Sequence, residues 1–216
     1  ILKLPLLFRY GTGNRQYLSQ RIRRGFSTRG KRENGQDDIV NLIRCAWAGS
    51  QRYGALVWSG DIMSTYEDFR KQICAGIHMG LSGIPWWTTD IGGFHNGVAA
   101  DPDFKELLIR WFQFGTFCPV MRLHGSRQPY TPIYNKAGEL REGTGTDNEV
   151  WSYGEEAYQI MTKFIHVREL MRDYTRSLMQ QAHENGHPVL RALFMNSRPI
   201  RSAGTSRIPT CLDLIF

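Results

Sequence analysis

Short apolar segments, each followed by polar residues, recur through the middle of the chain. Apolar runs of this length are typical of buried strands, and we place strands at residues 39–43, 55–58, 83–87, 117–123 and 188–194. Helical patterns separate the strands at a spacing of about 30 residues, which is typical of βα units in a parallel sheet. The pattern therefore predicts an α/β fold.

Helix signals lie between the predicted strands. Ser64 and Glu67 have the spacing of a capping box, which predicts a helix that starts at Ser64. Asp101 is a second helix cap, followed by Pro102 at the first helical position. Residues 155–184 predict one long helix. The predicted apolar faces are Phe104, Leu107, Leu108, Trp111 and Phe112 in the second helix, and Tyr158, Met161, Ile165, Leu170, Tyr174 and Leu178 in the long one.

The number of βα units is too small to close a barrel, because a complete (β/α)8 barrel has about 250 residues. We therefore expect a partial (β/α)8 TIM barrel, the second half of a larger domain. In such barrels the residues that follow the strands converge at one end, where the active site lies. A polar loop at residues 125–154, with no clear element of its own, is expected to shape or cover that end.

Charge divides the chain into three parts. The net charge is +7, yet residues 1–33 hold nine Lys or Arg and one Glu, whereas residues 34–195 hold 15 basic and 18 acidic side chains. We expect an irregular basic flank at 1–33, the partial barrel at 34–195 and an irregular tail at 196–216. Our hypothesis is that the flank and the tail are both translated in a shifted reading frame. No nucleic-acid partner is expected for the barrel segment. If the flanks are genuine, a basic nucleic-acid-binding module is the alternative.

The sequence also bears on membranes, metals and redox state. No apolar run approaches the roughly 20 residues of a membrane-spanning helix, so no membrane partner is expected. Cys45, Cys74, Cys118 and Cys211 stand far apart, and the absence of a C-x-x-C pair excludes a zinc ribbon. We expect reduced cysteines and a cytoplasmic protein.

Candidate chemistry lies directly after three of the predicted strands. Asp61, Asp90 and His124 follow successive strands, with Arg122 and several Trp nearby. Two carboxylates beside aromatic walls suit glycoside hydrolysis, in which one carboxyl protonates the leaving oxygen and another attacks or activates water. A metal site made of the same Asp61, Asp90 and His124 is the competing interpretation, although no local ligand spacing supports it.

The strand ends carry three motifs, which are RYGALVWSGD at 52–61, GIPWWTTDIGGF at 83–94 and RLH at 122–124. Together they resemble glycoside hydrolase family 31, which contains α-glucosidases, α-xylosidases and relatives built on a (β/α)8 barrel. The resemblance implies that Asp61 is the general acid/base and that Asp90 binds substrate hydroxyls instead of reacting. The positions that match sugar-binding residues of the cleavage subsite are Arg52, Trp58, Asp90, Phe94 and His124.

The nucleophile of that family lies in a Trp-x-Asp motif on an earlier strand, and this sequence lacks it. Trp47 is the one Trp before Trp58, and no Asp follows two residues after it. Because retaining hydrolysis needs two carboxyl groups about 5–5.5 Å apart, the resemblance implies a fragment of a retaining, exo-acting α-glycosidase that is inactive alone. Its substrates would be terminal α-glucosides or α-xylosides of oligosaccharides, with no cofactor and no metal. A carbohydrate-binding remnant without catalysis is the alternative.

Overall fold

A computed structural model describes residues 40–140, 143–192 and 195 of the chain. Within these ranges the fold is α/β. The predictions made for the flanks at 1–33 and 196–216 lie outside the described residues.

A small parallel sheet carries the carboxyl-end positions predicted from the sequence. It consists of β1 (Asn41–Ile43), β2 (Ala55–Trp58) and β3 (Trp87–Thr88), in that order across the sheet. The register aligns Ile43 with Val57 and Val57 with Trp87, so all three strands run the same way. The residues that follow them therefore lie along one edge of the sheet, which we call the carboxyl edge.

The predicted strand at 117–123 is wrong in all but its last position. Leu123 makes a single parallel bridge with Ile91, and the residues before it form no strand. The reason is a tertiary contact, because Arg168 donates to the carbonyls of Thr116 and Cys118 at 2.8 and 2.6 Å and to that of Pro119 at 2.9 Å. These carbonyls bond to a side chain and Pro119 has no N–H to donate, so a strand ladder cannot form there. Likewise, residues 188–192 form no strand.

Helices α1 (Tyr66–Leu81) and α2 (Pro102–Phe117) match their predicted places. The cap of α1 differs from the prediction, because Thr65 and not Ser64 accepts a hydrogen bond from the backbone N–H of Asp68, at 3.1 Å. The cap of α2 is confirmed, since Asp101 accepts from the N–H of Asp103 at 3.0 Å. All five predicted apolar residues of α2 are buried.

The long helix predicted over 155–184 is two helices, α3 (Glu155–Leu170) and α4 (Arg172–Asn185), which meet at Met171. Most of its predicted apolar face is also wrong, because Met161 is buried whereas Leu170 is 88% exposed. The apolar stripe that packs against the core is shifted by about one residue toward the start of the helix, relative to the predicted stripe. It consists of Ala157, Ile160, Met161 and Phe164.

The polar loop predicted at 125–154 contains structure of its own. Strands β4 (Gly97–Val98) and β5 (Arg127–Thr131) pair in parallel, and β6 (Thr144–Thr146) pairs antiparallel to β5. A 3-10 turn at Val150–Tyr153 then leads into α3. The loop therefore forms a second small sheet beside the carboxyl edge.

The core lies around α2, between the parallel sheet and α3. Trp111 and Leu108 of α2 are fully buried, and α1 approaches β3 closely because Gly76 has no side chain. A Cβ atom at Gly76 would lie 2.7 Å from the Trp87 ring. The rigid sheet edge that carries the candidate site rests on this packing.

The redox prediction is wrong at one cysteine, because Cys74 takes part in a disulfide. Cys118 is a free thiol, and its complete burial raises its pKa to about 12. Among the helices that the structure describes, none is long and apolar enough to cross a membrane.

Candidate active site

The carboxyl edge brings together most of the residues predicted from the sequence. Asp61 follows β2 and Asp90 follows β3, and the pKa of Asp90 responds to the charges of Asp61, Arg122 and His124. Trp58, the last residue of β2, lies beside the same charged groups. The rule that polar residues after parallel strands converge therefore holds here.

Asp90 is a buried carboxylate with one paired and one unpaired oxygen. Its side chain is 0% exposed, and Arg122 donates to Oδ1. The other oxygen, Oδ2, has no hydrogen-bond partner within the described residues. Burial raises the pKa of Asp90 above its ordinary value, while the charges of Arg122 and His124 oppose that rise and Asp61 adds to it. An unpaired buried acceptor of this kind is suited to a hydroxyl of a bound ligand.

The backbone at Asp90 is tied to the neighbouring strand end. Ser59 Oγ accepts hydrogen bonds from the backbone N–H of Asp90 and from the hydroxyl of Thr89, each at 3.3 Å. The adjacent hydroxyl of Thr88 donates to the carbonyl of Val120 at 2.9 Å. These contacts fix the direction in which the Asp90 carboxylate points.

Asp61 has a more open environment than Asp90. Its side chain is 38% exposed, and its Oδ2 lies 3.2 Å from an Nη atom of Arg44. Its Oδ1 makes no hydrogen bond to any residue in the described ranges. The two carboxylates therefore differ sharply, since Asp90 is fully buried beside Arg122 whereas Asp61 is partly exposed beside Arg44.

Aromatic rings line the space beside the two carboxylates. The guanidinium carbons of Arg44 and Arg122 lie 5.8 and 5.9 Å from the ring centre of Trp58. The rings of Phe94 and His124 lie 5.5 Å apart and are tilted by 37°. These rings form apolar walls around the charged groups.

The segment that carries Phe94 is held against the loop after β2. The N–H groups of Phe94 and His95 both donate to the carbonyl of Ile62, at 2.8 and 3.0 Å. Gly93 makes this approach possible, because its φ is +77° and a Cβ there would lie 2.7 Å from the carbonyl oxygen of Met63. The loops after β2 and β3 therefore act as one unit.

Arg52 does not lie with the other predicted residues. It belongs to the 3-10 turn Ser50–Tyr53, which precedes β2, so it sits at the opposite end of the sheet. There it lines a cavity of about 340 Å³ together with Trp86 and His183. We therefore leave Arg52 out of the candidate site.

Arg44, which the sequence analysis did not select, lies beside the carboxylates, where Arg52 was expected. It directly follows β1 and reaches both Asp61 and the Trp58 ring. The signal was present in the sequence, because Arg44 comes immediately after the apolar run at 39–43. The rule that identified Asp61 and Asp90 applies equally to it.

The geometry gives no support to a metal site at Asp61, Asp90 and His124. Among residues 40–140, 143–192 and 195, no three His, Cys, Asp or Glu side chains are grouped so that they could hold a metal ion. Each of the two carboxylates is instead paired with an arginine, Asp61 with Arg44 and Asp90 with Arg122.

Comparison with known families shows to which family the chain belongs. The sequence model of the glycosyl hydrolases family 31 TIM-barrel domain matches residues 10–178. The chain belongs to glycoside hydrolase family 31. The match begins ahead of the boundary predicted near residue 34, so similarity to the family does not stop at the change in charge.

Individual relatives of this family 31 chain include named α-xylosidases. An α-xylosidase from Saccharolobus solfataricus is 35% identical over 78% of the chain. An uncharacterized family 31 glucosidase from Pseudescherichia vulneris is 56% identical over 56% of the chain. The crystal structure of a family 31 α-xylosidase from a soil metagenome, complexed with xylose, is 56% identical and superposes with a TM-score of 0.76 over 81% of the chain.

The family 31 chain is much shorter than these relatives. It covers 21% of the Saccharolobus protein and 24% of the Pseudescherichia protein, and 26% of the soil-metagenome enzyme. It therefore spans about a quarter of the proteins that it matches.

Proposed function

We propose that this family 31 segment supplies the general acid/base and the sugar-binding side of a retaining, exo-acting α-glycosidase. Its substrates would be oligosaccharides with a terminal α-xyloside or α-glucoside. The observation that carries the proposal is the contrast between Asp61 and Asp90, which lie at neighbouring strand ends in opposite environments. Family 31 membership supports it.

Asp61 is suited to proton transfer. It stands on the open side of the site, and Arg44 contacts one of its oxygens. Its other oxygen is available to a glycosidic oxygen that approaches from solvent. In the first step Asp61 would protonate that oxygen as the bond breaks, and in the second it would take a proton from the attacking water.

Asp90 is suited to binding. Its Oδ2 is buried and unpaired within the described residues, and a buried acceptor left in this state costs about 1–3 kcal/mol. A sugar hydroxyl that donates to Oδ2 would remove this cost, while Arg122 favours the ionised form of the carboxylate and orients it. The walls made by Trp58, Phe94 and His124 would enclose the apolar faces of the ring.

The second reacting carboxylate would come from outside the described residues. Asp90 is braced by Arg122, and the sequence has no Trp-x-Asp motif. The named activities of the relatives favour a xyloside, because the Saccharolobus and soil-metagenome proteins are α-xylosidases.

A binding experiment with the full chain tests this assignment. We expect the chain to bind xylose without hydrolysing an aryl α-xyloside, with the dissociation constant measured by NMR titration. Arg44→Ala should weaken binding about tenfold or more, because it removes the cation beside Asp61 and Trp58. Arg52→Ala is the matched control and should leave the dissociation constant within about twofold, since Arg52 lies at the other end of the sheet.

The possible results of that titration have distinct meanings. Absence of binding to xylose and to glucose would contradict the sugar site, and so would equal losses in the two arginine variants. Turnover by the wild-type chain that Asp61→Asn abolishes would show instead that the second carboxylate lies within the chain.

Sugar binding is also expected to depend on pH through Asp90. The pKa of Asp90 is raised above 3.8 by burial, and the ionised form is the one that accepts from Arg122 and from a hydroxyl. Xylose affinity should therefore rise with pH through a midpoint above that value. Because the folded state holds this proton more tightly than the unfolded state, Asp90 lowers the free energy of unfolding as pH rises through the same range.

A titration of xylose affinity from about pH 4 to about pH 8 measures this effect. In Asp90→Asn the rise should disappear, and the affinity should be low throughout. An unchanged pH profile in Asp90→Asn would assign the titration to another group.

A further inference from the structure

Arg127, the first residue of β5, is a buried arginine beside the candidate site. It is 0% exposed, and its guanidinium carbon lies 5.0 Å from the ring centre of Phe104. Its polar partners are the carbonyls of Gly93 at 2.8 Å and Ile91 at 3.0 Å, and Asn148 Oδ1 and the Tyr153 hydroxyl, both at 3.0 Å. None of these partners is a carboxylate. Burying a guanidinium without an acid is costly, so this arrangement calls for an explanation.

The two terminal nitrogens of the guanidinium hydrogen-bond to the loop after β3. Nη1 and Nη2 donate to the carbonyls of Gly93 and Ile91, which flank the turn that Asp90 begins. A fork of rigid N–H donors is the side chain best suited to fix two carbonyls at once. The positions of Asp90 and Phe94 therefore depend on a group that touches neither of them.

Glycines make room for this contact on two loops. A Cβ at Gly92 would lie 2.9 Å from Nη2, and one at Gly125 would collide with Nη1. Gly125 directly follows His124. Both the loop after β3 and the turn that carries His124 are thus shaped around Arg127.

The Nε atom of the guanidinium connects the site to the loop at 125–154. Nε donates to Asn148 Oδ1 and to the Tyr153 hydroxyl, and Asn148 Nδ2 in turn donates to the carbonyl of Gly125 at 3.3 Å. The N–H of Ser126 donates to the carbonyl of Phe94 at 2.9 Å. Arg127 is therefore the point at which the second sheet, the His124 turn and the Asp90 loop meet.

We propose that Arg127 is a positioning residue, which orders the segment from Asp90 to Phe94 so that its side chains meet the sugar. The part of this inference that concerns sugar binding rests on the proposed function. Its structural consequence, order in the loop, can be measured without any ligand.

Arg168 provides a matched control. Arg127 donates to two backbone carbonyls and Arg168 donates to three, but those of Arg168 lie at the carboxyl end of α2, away from the carboxyl edge of the sheet. Replacing either arginine by methionine removes the same donors and keeps a long apolar side chain. Arg127 is fully buried and Arg168 partly buried, so the two variants are compared by where exchange accelerates as well as by how much.

Hydrogen exchange and xylose titration on the full chain test the proposal. In Arg127→Met, exchange at the bonded amides of Ile91, Gly93, Phe94 and Ser126 should accelerate about tenfold or more relative to the amides of α1, and the xylose dissociation constant should rise by a similar factor. In Arg168→Met, faster exchange should be confined to the region of Cys118, and the dissociation constant should be unchanged. Arg127→Lys, which keeps the charge but loses the fork, should give intermediate values.

Several results would overturn the inference. These are unchanged exchange in the loop of Arg127→Met, equal loss of affinity in Arg127→Met and Arg168→Met, or failure of both Arg127→Met and Arg127→Lys to fold. If only Arg127→Met fails to fold, Arg127→Lys and Tyr153→Phe decide the matter by the same two measurements. If the wild-type chain binds no sugar, the proposed function fails, whereas the exchange data still decide whether Arg127 orders the loop.

Discussion

Replacing Asp61 by Asn is expected to slow hydrolysis of an unactivated α-xyloside by about 100- to 10,000-fold, the usual contribution of a general acid/base. The variant keeps the shape of the side chain and loses the proton that the leaving oxygen needs. Because the second carboxylate lies elsewhere in our proposal, the measurement uses a complete barrel. We suggest the soil-metagenome α-xylosidase with residues 40–192 of this chain in place of its matching segment, assayed for kcat.

Asp173→Asn in the same hybrid is the control for that prediction. Asp173 lies in the first turn of α4, and its side chain is 96% exposed. This change removes one carboxylate without touching the carboxyl edge, so kcat should stay within about twofold of the starting hybrid. Comparable losses from Asp61→Asn and Asp173→Asn would contradict the role given to Asp61.

Replacing Trp111 by Ala is expected to lower the free energy of unfolding by about 3–5 kcal/mol, the range for large aromatic residues in cores. Trp111 is 0% exposed and stacks on Phe69 with ring centres 4.8 Å apart. A loss of this size is a large fraction of the stability of most domains. Urea denaturation of the full chain, followed by circular dichroism, measures it.

Trp151 offers the same substitution at the surface. It is 68% exposed, so Trp151→Ala should change the free energy of unfolding by no more than about 0.5 kcal/mol. If the two tryptophan variants were equally destabilised, the packing of α2 at the centre of the core would be wrong.

Much of the candidate site could be predicted because the positions of its residues depend on their near neighbours in the sequence. Asp61 and Asp90 each follow a short apolar run, and parallel strands bring such positions to one edge whatever the rest of the chain does. The cap at Asp101 is equally local, since it depends on a side chain and an N–H two residues apart. Arg44 obeys the same strand-end rule, although the motif at 52–61 drew attention to Arg52 instead.

The features that could not be predicted depend on distant contacts. The apolar run at 117–123 suits a strand, but Arg168, about 50 residues later, takes the carbonyls at its start. Strand β5 in the loop at 125–154 has no apolar run that would predict it, since its one buried residue is Arg127. A buried arginine leaves no mark in the periodicity of a sequence. The break at Met171 could not be predicted either, because no Gly or Pro marks it in the sequence.

The dependence of rate on leaving group tests the central claim, that Asp61 protonates the departing oxygen, most directly. In the hybrid barrel, kcat/KM, which reports the step that breaks the glycosidic bond and not the later attack of water, would be measured for α-xylosides whose leaving groups range from a poor alcohol to fluoride, with Asp61 or Asn at position 61. A leaving group that departs unaided gains little from an acid. We therefore predict a large loss in Asp61→Asn for the alcohol and a small one for fluoride. Equal losses across the series would contradict the account.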